Sequence, residues 1–594
     1  MKKYHLWGLI LAVVCLAVVP AFAQEETMPT FVPIGAGYPD TYPGFLEAAL
    51  PYVEANEFER FYILMMPMAF SYQVEELPAN ELLDNSLAIE RRRRQLENAC
   101  ADIAPDIPCE VVVPPLWTRA AALDELALDY FTDDLGAVYF VGGDQTIAMQ
   151  ILADSPVEAA LADAYARGVV MGGNSAGLAI QSRTMIGGYI GDFGPETGLA
   201  EGAVDIWNET EGVDGAPPRR GLSFGLTDII VEQHFWERAR ISRLLNALAQ
   251  PETPNLGVGV DSYSGAVIRT DESGGVTVAD VFGLYGAVVL DAETFGAADA
   301  ATFQNGVLSI RDVLVHLLAS GDYAYDLTAR QALSAEAPAR VEMTYNIAAP
   351  DGAGSLALWS GLAAGIAAGD VSIESAPPHL VIITGYADAE SAQAVADAYV
   401  DVPDTTVLML ADGDELPSLS DFGTVTIHAH DVTLIAVAAL APVKDFWLNG
   451  GSLVLDDGAA LLAGVAYANE PPVPYDSDDD LLIEDALQGA LIDGMVEIAN
   501  GWALIDANVE VDVMDDNRFA RLFALEYNVP VGTLGLSAGT MVAVSTNGAF
   551  VSPPSGNGVY ALSFANADLM VGDDDGLVVI NGILDVFAPG EDIE

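Results

Sequence analysis

Between residues 30 and 260, short apolar runs alternate with longer amphipathic stretches. The runs are TFVPIG from Thr30, RFYILMMP from Arg60, GAVYFVGG from Gly136, GVVMGG from Gly168, DIIVEQ from Asp228 and GVGVD from Gly257. The segment TIAMQILADSPVEAALADAYAR, from Thr146, has helical spacing. Near-continuous Val/Ile runs separated by helices predict an α/β fold: a doubly wound, mostly parallel sheet buried on both faces. Ile241, Leu244, Leu245 and Leu248 form a core stripe on a helix whose other side carries Arg240 and Arg243, with Arg238 beside His234. The run VLVHLLA around His316 reads as a further helical segment.

The pattern weakens in a Gly/Ala-rich stretch, 335–378, and resumes with HLVIITGYADAESAQAVADAYV, TTVLMLADGDE and VKDFWLNGGSLVLDDGAALLAGV. Two internal echoes follow. AVYFVGGDQTIAMQIL is matched by DFWLNGGSLVLDDGAALL, and VEQHFWERARISRLL by VEVDVMDDNRFARLF, which puts Asp512 at the place of His234 and Arg518 and Arg521 at those of Arg240 and Arg243. The expected organisation is a leader (1–23), a first domain (24–334), a boundary region (335–378) and a diverged second copy (379–594) that has lost the chemistry. The turn GLSAGT, from Gly535, aligns with the segment after Gly257, not with the first serine turn, and has no histidine nearby.

The first residues have a basic start, an apolar core and a small-x-small ending at Ala21-Phe22-Ala23, which predicts a signal peptide cleaved before Gln24 and export to the periplasm or the exterior. No later run is long enough for a membrane span. The formal charge of −65 argues against nucleic acid or anionic membranes as partners and favours cationic ones; Lys444 is the only lysine beyond the leader. In an oxidising compartment, Cys100 and Cys109 are close enough in sequence to pair.

Gly173-Asn174-Ser175-Ala176-Gly177 is a G-x-S-x-G turn between a predicted strand and helix. Such a turn projects the serine oxygen from the sheet and aims the next amide at a developing oxyanion. The serine needs a base. Beyond the leader there are five histidines, and only His234 follows a buried strand and opens a helix. His428 and His430 share one strand face, which suits a metal, but no third ligand is evident and a solvated strand is expected. Gly142-Gly143-Asp144-Gln145, Ser175 and His234 each follow a strand, so one crevice can hold them.

Together GGDQ, GGNSAG, EQHFWERARISRLL and GVGVD resemble the cyanophycinase and dipeptidase E family of serine peptidases over about Phe31 to Thr270, and more closely the cyanophycinase branch. The resemblance implies a fold similar to class I glutamine amidotransferases and no metal or organic cofactor. It implies Ser175 as nucleophile, His234 as base and the Gly143 and Ala176 amides as oxyanion donors. Asp144, Gln145, Glu232, Gln233, Arg238, Arg240 and Arg243 then fall to substrate binding. The implied substrate is a peptide with aspartyl or isoaspartyl linkages, in the extreme an arginine-rich aspartyl polymer; a homodimer is one option. The family's glutamate after GVGVD is replaced by Ser262, which leaves Asp192 and Asp261 as the candidates for the third catalytic member.

Overall fold

The computed structural model describes residues 28–593 apart from 72, 76–77, 322, 334–344, 346, 370, 372–377, 412, 436, 470–490, 495, 515–517, 553–556 and 573–574. The leader expected over 1–23 lies outside the described residues.

Strands in the first half are β1 (Thr30–Ile34), β2 (Phe61–Met66), β3 (Cys109–Val112), β4 (Leu135–Phe140), β5 (Val170–Asn174), β6 (Ile230–Glu232), β7 (Leu256–Val260), β8 (Ser264–Thr270), β9 (Val276–Gly283), β10 (Ala287–Asp291), β11 (Val307–Leu318) and β12 (Tyr325–Asp326). One sheet runs β12-β9-β8-β1-β5-β4-β2-β3. Its β1, β5, β4, β2 and β3 are parallel, and β8, β9 and β12 extend it antiparallel. Successive residues of a strand face opposite sides. Val32 and Ile34 accordingly pack with Phe45, Leu46 and Ala49 of helix α1 (Tyr38–Ala55) and with Ile89 and Leu96 of α2 (Ala79–Ile103). Phe31 faces the other core, with Met149 of α3 (Gln145–Leu152) and Leu161 of α4 (Pro156–Ala166). The sheet is therefore covered on both faces. A disulfide between Cys100 and Cys109, Cα atoms 6.0 Å apart, ties the end of α2 to β3.

The second half repeats this plan. Its strands are β13 (Leu356–Trp359), β14 (His379–Thr384), β15 (Thr405–Met409), β16 (Thr424–Ala429), β17 (Ser452–Asp457), β18 (Asn508–Val511), β19 (Thr533–Leu536), β20 (Met541–Ser545), β21 (Gly548–Val551), β22 (Val559–Ser563), β23 (Leu577–Phe587) and β24 (Asp592–Ile593). A second sheet runs β24-β21-β20-β13-β17-β16-β14-β15, the same order as these eight strands of the first sheet, which has one further edge strand, Gln331–Ala332, beyond β12. The domain duplication is written in the topology.

A third sheet joins the copies, in the order β18-β19-β22-β23-β11-β10-β7-β6, which reads the same from both ends in terms of equivalent strands. At its centre β11 pairs antiparallel with β23, from Ile310 opposite Val586 to Leu317 opposite Val579. Around it one apolar core draws on both halves, including Leu244, Val288 and Val313 from the first and Phe519, Leu522 and Leu584 from the second.

Three expectations change. The run around His316 is strand β11, because an apolar run carries no period of its own and its pairing with β10 and β23 decides its conformation. The boundary region 335–378 contains β13, which is paired on both sides by β17 and β20, and the helix Leu362–Ala368; the second copy thus begins by Leu356. Four strand residues in Gly/Ala-rich sequence are too few for a period to show. The first echo also slips by one strand: by sheet position β4 corresponds to β16, and β5, with the serine turn, to β17.

Removing residues 356–593 would strip β11 of its partner and expose an apolar strand edge. We expect the truncated chain to self-associate or aggregate, whereas the whole chain keeps this edge covered; light scattering after gel filtration reads the difference. A truncated chain that stays monomeric and fully folded would contradict a shared sheet.

Candidate active site

Strand β5 ends at Asn174, and Ser175 turns the chain with φ 53° and ψ −117° into a single helical turn, Ala176–Ala179. A positive φ on a residue with a Cβ costs about 1–3 kcal/mol, and the surroundings must impose it. Two glycines make room: a Cβ on Gly173 would sit 2.6 Å from the Phe140 carbonyl oxygen, and one on Gly177 2.1 Å from it. The Gly143 amide, at φ 142° and exposed, and the Ala176 amide have no hydrogen-bond acceptor among the described residues, as oxyanion donors require.

His234 lies in the turn after β6, also at positive φ (46°), and the helix proper, Ile241–Leu248, starts seven residues later. Its Nε2 is 2.9 Å from Ser175 Oγ, and its Nδ1 is 2.5 Å from Glu237 Oε2. The third member is thus Glu237. Ser262 Oγ donates to the same Glu237 oxygen, so the serine at the position where a glutamate was expected by resemblance steadies Glu237. The sequence signal was a glutamate three residues after the histidine, a spacing that passes for an exposed helical position until the turn curls it back.

Neither expected acid touches His234. Asp192 is exposed in the turn after Met185–Tyr189. Asp261 is buried, and its Oδ1 accepts from the Trp236 and Glu237 amides at 2.9 and 3.1 Å, so it props up the turn that carries the catalytic pair. Its Oδ2 is buried without a partner, and burial raises the carboxyl to about 7.

The expected substrate residues separate into two groups. Asp144 caps α3 by accepting from the Thr146 and Ile147 amides, and the buried Gln145 donates to the Ile186 and Gly187 carbonyls. Glu232, fully buried, accepts two hydrogen bonds from Arg243, at 2.9 and 2.7 Å, and one from the Gln233 amide. The second copy repeats this pair as Glu510 and Arg521, 3.2 Å apart, although it lacks the serine. Glu232 and Arg243 are therefore built into the scaffold, whereas Asp144 is exposed and uses only its Oδ1 in the cap, and Gln145 uses only its amide nitrogen. Closer to the chemistry, Gln233 Oε1 accepts from Ser175 Oγ at 2.8 Å. Arg240 is held only weakly, 3.5 Å from Glu232, and burial lowers its guanidinium to about 9. Arg238 is half-exposed, 3.5 Å from Glu237.

Burial alone would raise the Glu237 carboxyl, yet the hydrogen bond and charge of His234, with Ser262 and Arg238, bring it down to about 2. For His234 burial dominates and lowers its pKa; Glu237 opposes this, and Arg240 and Arg238 add to the lowering. The imidazole is then neutral at pH 7, with its Nδ1 proton on Glu237 and Nε2 free to accept from the serine. This is the constellation of a serine hydrolase.

The second copy reaches this site directly. Trp236, between His234 and Glu237, stacks on Phe519 with ring centres 6.0 Å apart and meets Phe523 edge-on at 5.1 Å, both on helix α5 (Phe519–Asn528).

No family model matches the sequence. The chain is 28% identical over 195 residues to a cyanophycinase of Geminocystis herdmanii, covering 32% of this chain and 63% of that one. It is 29% identical over 234 residues to a cyanophycinase of Synechococcus elongatus, covering 39% of this chain and 65% of the relative. The chain is thus similar to these cyanophycinases over part of its length, and spans just under two thirds of the length of each. Two solved structures, a peptidase from an acI-B1 actinobacterium and a protein assigned to peptidase E from Listeria monocytogenes, align at 15% identity over 45% and 43% of this chain, with TM-scores of 0.31 and 0.26.

Two predictions separate the carboxylates. Glu237→Gln removes the charge that holds the imidazolium and should lower kcat by about 10²–10⁴. Asp261→Asn keeps the Oδ1 acceptor and should stay within about tenfold of the parent; equal losses in the two variants would refute the assignment. In kcat/KM against pH, the acid limb should fall below pH 6.5, because a base with lowered pKa stays unprotonated to lower pH. An acid limb above 6.5 would contradict the buried, neutral His234.

Proposed function

We propose that the protein is a serine peptidase that hydrolyses aspartyl or isoaspartyl peptides, with arginine-bearing aspartyl polymers of the cyanophycin type as its preferred substrates. The observation that carries this reading is the Ser175–His234–Glu237 chain of contacts at a strained strand-to-helix turn. Similarity to cyanophycinases supports the substrate class.

In the reaction, Ser175 Oγ attacks the scissile carbonyl carbon and its proton passes to His234 Nε2. Charge grows on the carbonyl oxygen, where the Gly143 and Ala176 amides receive it. Glu237 stabilises the imidazolium through Nδ1, and His234 then protonates the leaving amine. Water, deprotonated by the same imidazole, cleaves the acyl-enzyme and restores Ser175. Gln233 must release the serine hydroxyl as attack begins, since one proton cannot serve both Gln233 and His234. Arg238 and Arg240 are the cations nearest to this chemistry and suit a carboxylate of the aspartyl backbone. The strongly negative surface attracts a substrate rich in arginine. The leader-like first residues support export as the setting. Every contact of the triad is made within one chain, so a homodimer is not needed to complete it.

The test compares the chain from Gln24 onward with its Ser175→Ala variant on cyanophycin and on isoaspartyl dipeptides. Release of β-aspartyl-arginine from the polymer, lost at least about 10³-fold in the variant, is the expected result. Cleavage confined to short peptides with a free amino-terminal aspartate would instead make it an aspartyl dipeptidase. Binding of the polymer without cleavage by either protein would overturn the peptidase reading.

A further inference from the structure

The second copy keeps the elbow and changes its side chains. β13 pairs with β17 so that Trp359 lies opposite Asp456, as Ile34 on β1 lies opposite Asn174. Asp456 thus stands where the first copy has Asn174, and Asp457 stands where it has Ser175, at φ 52° against 53°. The neighbouring β16 brings His428 alongside, opposite Asp456 in the register. The expectation of a solvated strand fails for His428, which is buried, although His430 is exposed. The missing third ligand lies on a strand 28 residues away, beyond the reach of a local motif.

His428 Nδ1 is 2.6 Å from Asp456 Oδ2 and 3.5 Å from Asp457 Oδ2, and one donor atom from each residue falls within 4.8 Å of the others. These separations bracket the donor–donor edge of about 3.3 Å that bonds of about 2.0 Å give in a tetrahedral site. The rest of the arrangement leaves these atoms turned inwards. Asp456 Oδ1 accepts from the Leu362 amide, and Asp457 Oδ1 from the Gly361 amide at 2.5 Å; the Ala363 amide reaches Asp456 Oδ2 at 3.2 Å. The other imidazole nitrogen, Nε2, is 2.7 Å from the Tyr386 hydroxyl, the outer-shell support that fixes a ligating histidine. His428 and Asp456 are almost wholly enclosed, whereas the Asp457 side chain is 25% exposed and leaves an entry. Independently, the hydroxyl of the fully buried Tyr399, in the apolar cluster against which Tyr386 packs, has no hydrogen-bond partner among the described residues.

A histidine–aspartate pair needs one carboxylate. The second carboxylate, the orphan hydroxyl and the supported imidazole have no role in such a pair, but together they suit a cation carrying a water. We propose that His428, Asp456 and Asp457 bind one divalent cation of the zinc class at the former elbow of the second copy. The site lies in the copy without a serine nucleophile, and it stands whether or not Ser175 is catalytic.

The full chain titrated with Co²⁺, at ionic strength high enough to screen the acidic surface, tests this. One equivalent should give a visible ligand-field band of low coordination number, displaced by one equivalent of Zn²⁺. His428→Gln and Asp457→Asn should abolish the band, and Tyr386→Phe, which keeps all three ligands, should weaken affinity about 10–100-fold. A weak six-coordinate spectrum in the parent protein, or a band that His428→Gln and Asp457→Asn leave intact, would mean that the ion sits on surface carboxylates and would overturn the site. The parent spectrum and Tyr386→Phe decide the matter even if the ligand variants fail to fold.

Discussion

The ladder between β11 and β23 is the constraint on which the rest of the molecule depends. It joins two domains in one mixed sheet, antiparallel at its centre and parallel at both ends, flanked by two mostly parallel sheets, and it covers an edge that each copy alone would leave open. Helix α5 of the second copy lies in the core so formed, against Trp236. Because His234 and Glu237 flank this tryptophan, the packing of the second copy bears on the geometry of the first copy's chemistry. A copy without the serine thus packs against the turn that holds His234 and Glu237.

The site itself is an exercise in compensated burial. His234 is driven neutral by its surroundings, and Glu237 keeps its charge because the imidazole and the Ser262 hydroxyl meet it. One layer out, Glu232 and Arg243 neutralise each other in a bidentate pair, and Asp261 holds two amides of the catalytic turn. Groups that sequence position alone would assign to substrate or catalysis are thereby spent on holding the turn in place.

Comparison of the copies separates geometry from chemistry. Asp457 and Asp512 occupy the places of Ser175 and His234 with φ of 52° at both, so the strained backbone outlives the residues that used it. The Glu–Arg pair also persists, as Glu510 and Arg521. Sheet register and core packing impose these conformations, and the side chain at the elbow is then free to change.

By itself the sequence determined the α/β class, the strand runs, the duplication, the serine turn and its histidine. Each rests on a local signal: a run of apolar residues, a glycine pair beside a serine, or a repeated segment. Only the tertiary structure decided that Glu237 completes the triad, that Asp261 and Glu232 serve the scaffold, that the run around His316 is a strand, and that Asp456 and Asp457 meet His428. Each of these depends on which strand lies beside which, or on how a turn at positive φ folds a side chain back. A carboxylate's role follows from its partners, and those partners lie many residues away or are brought near by a turn whose conformation the core imposes.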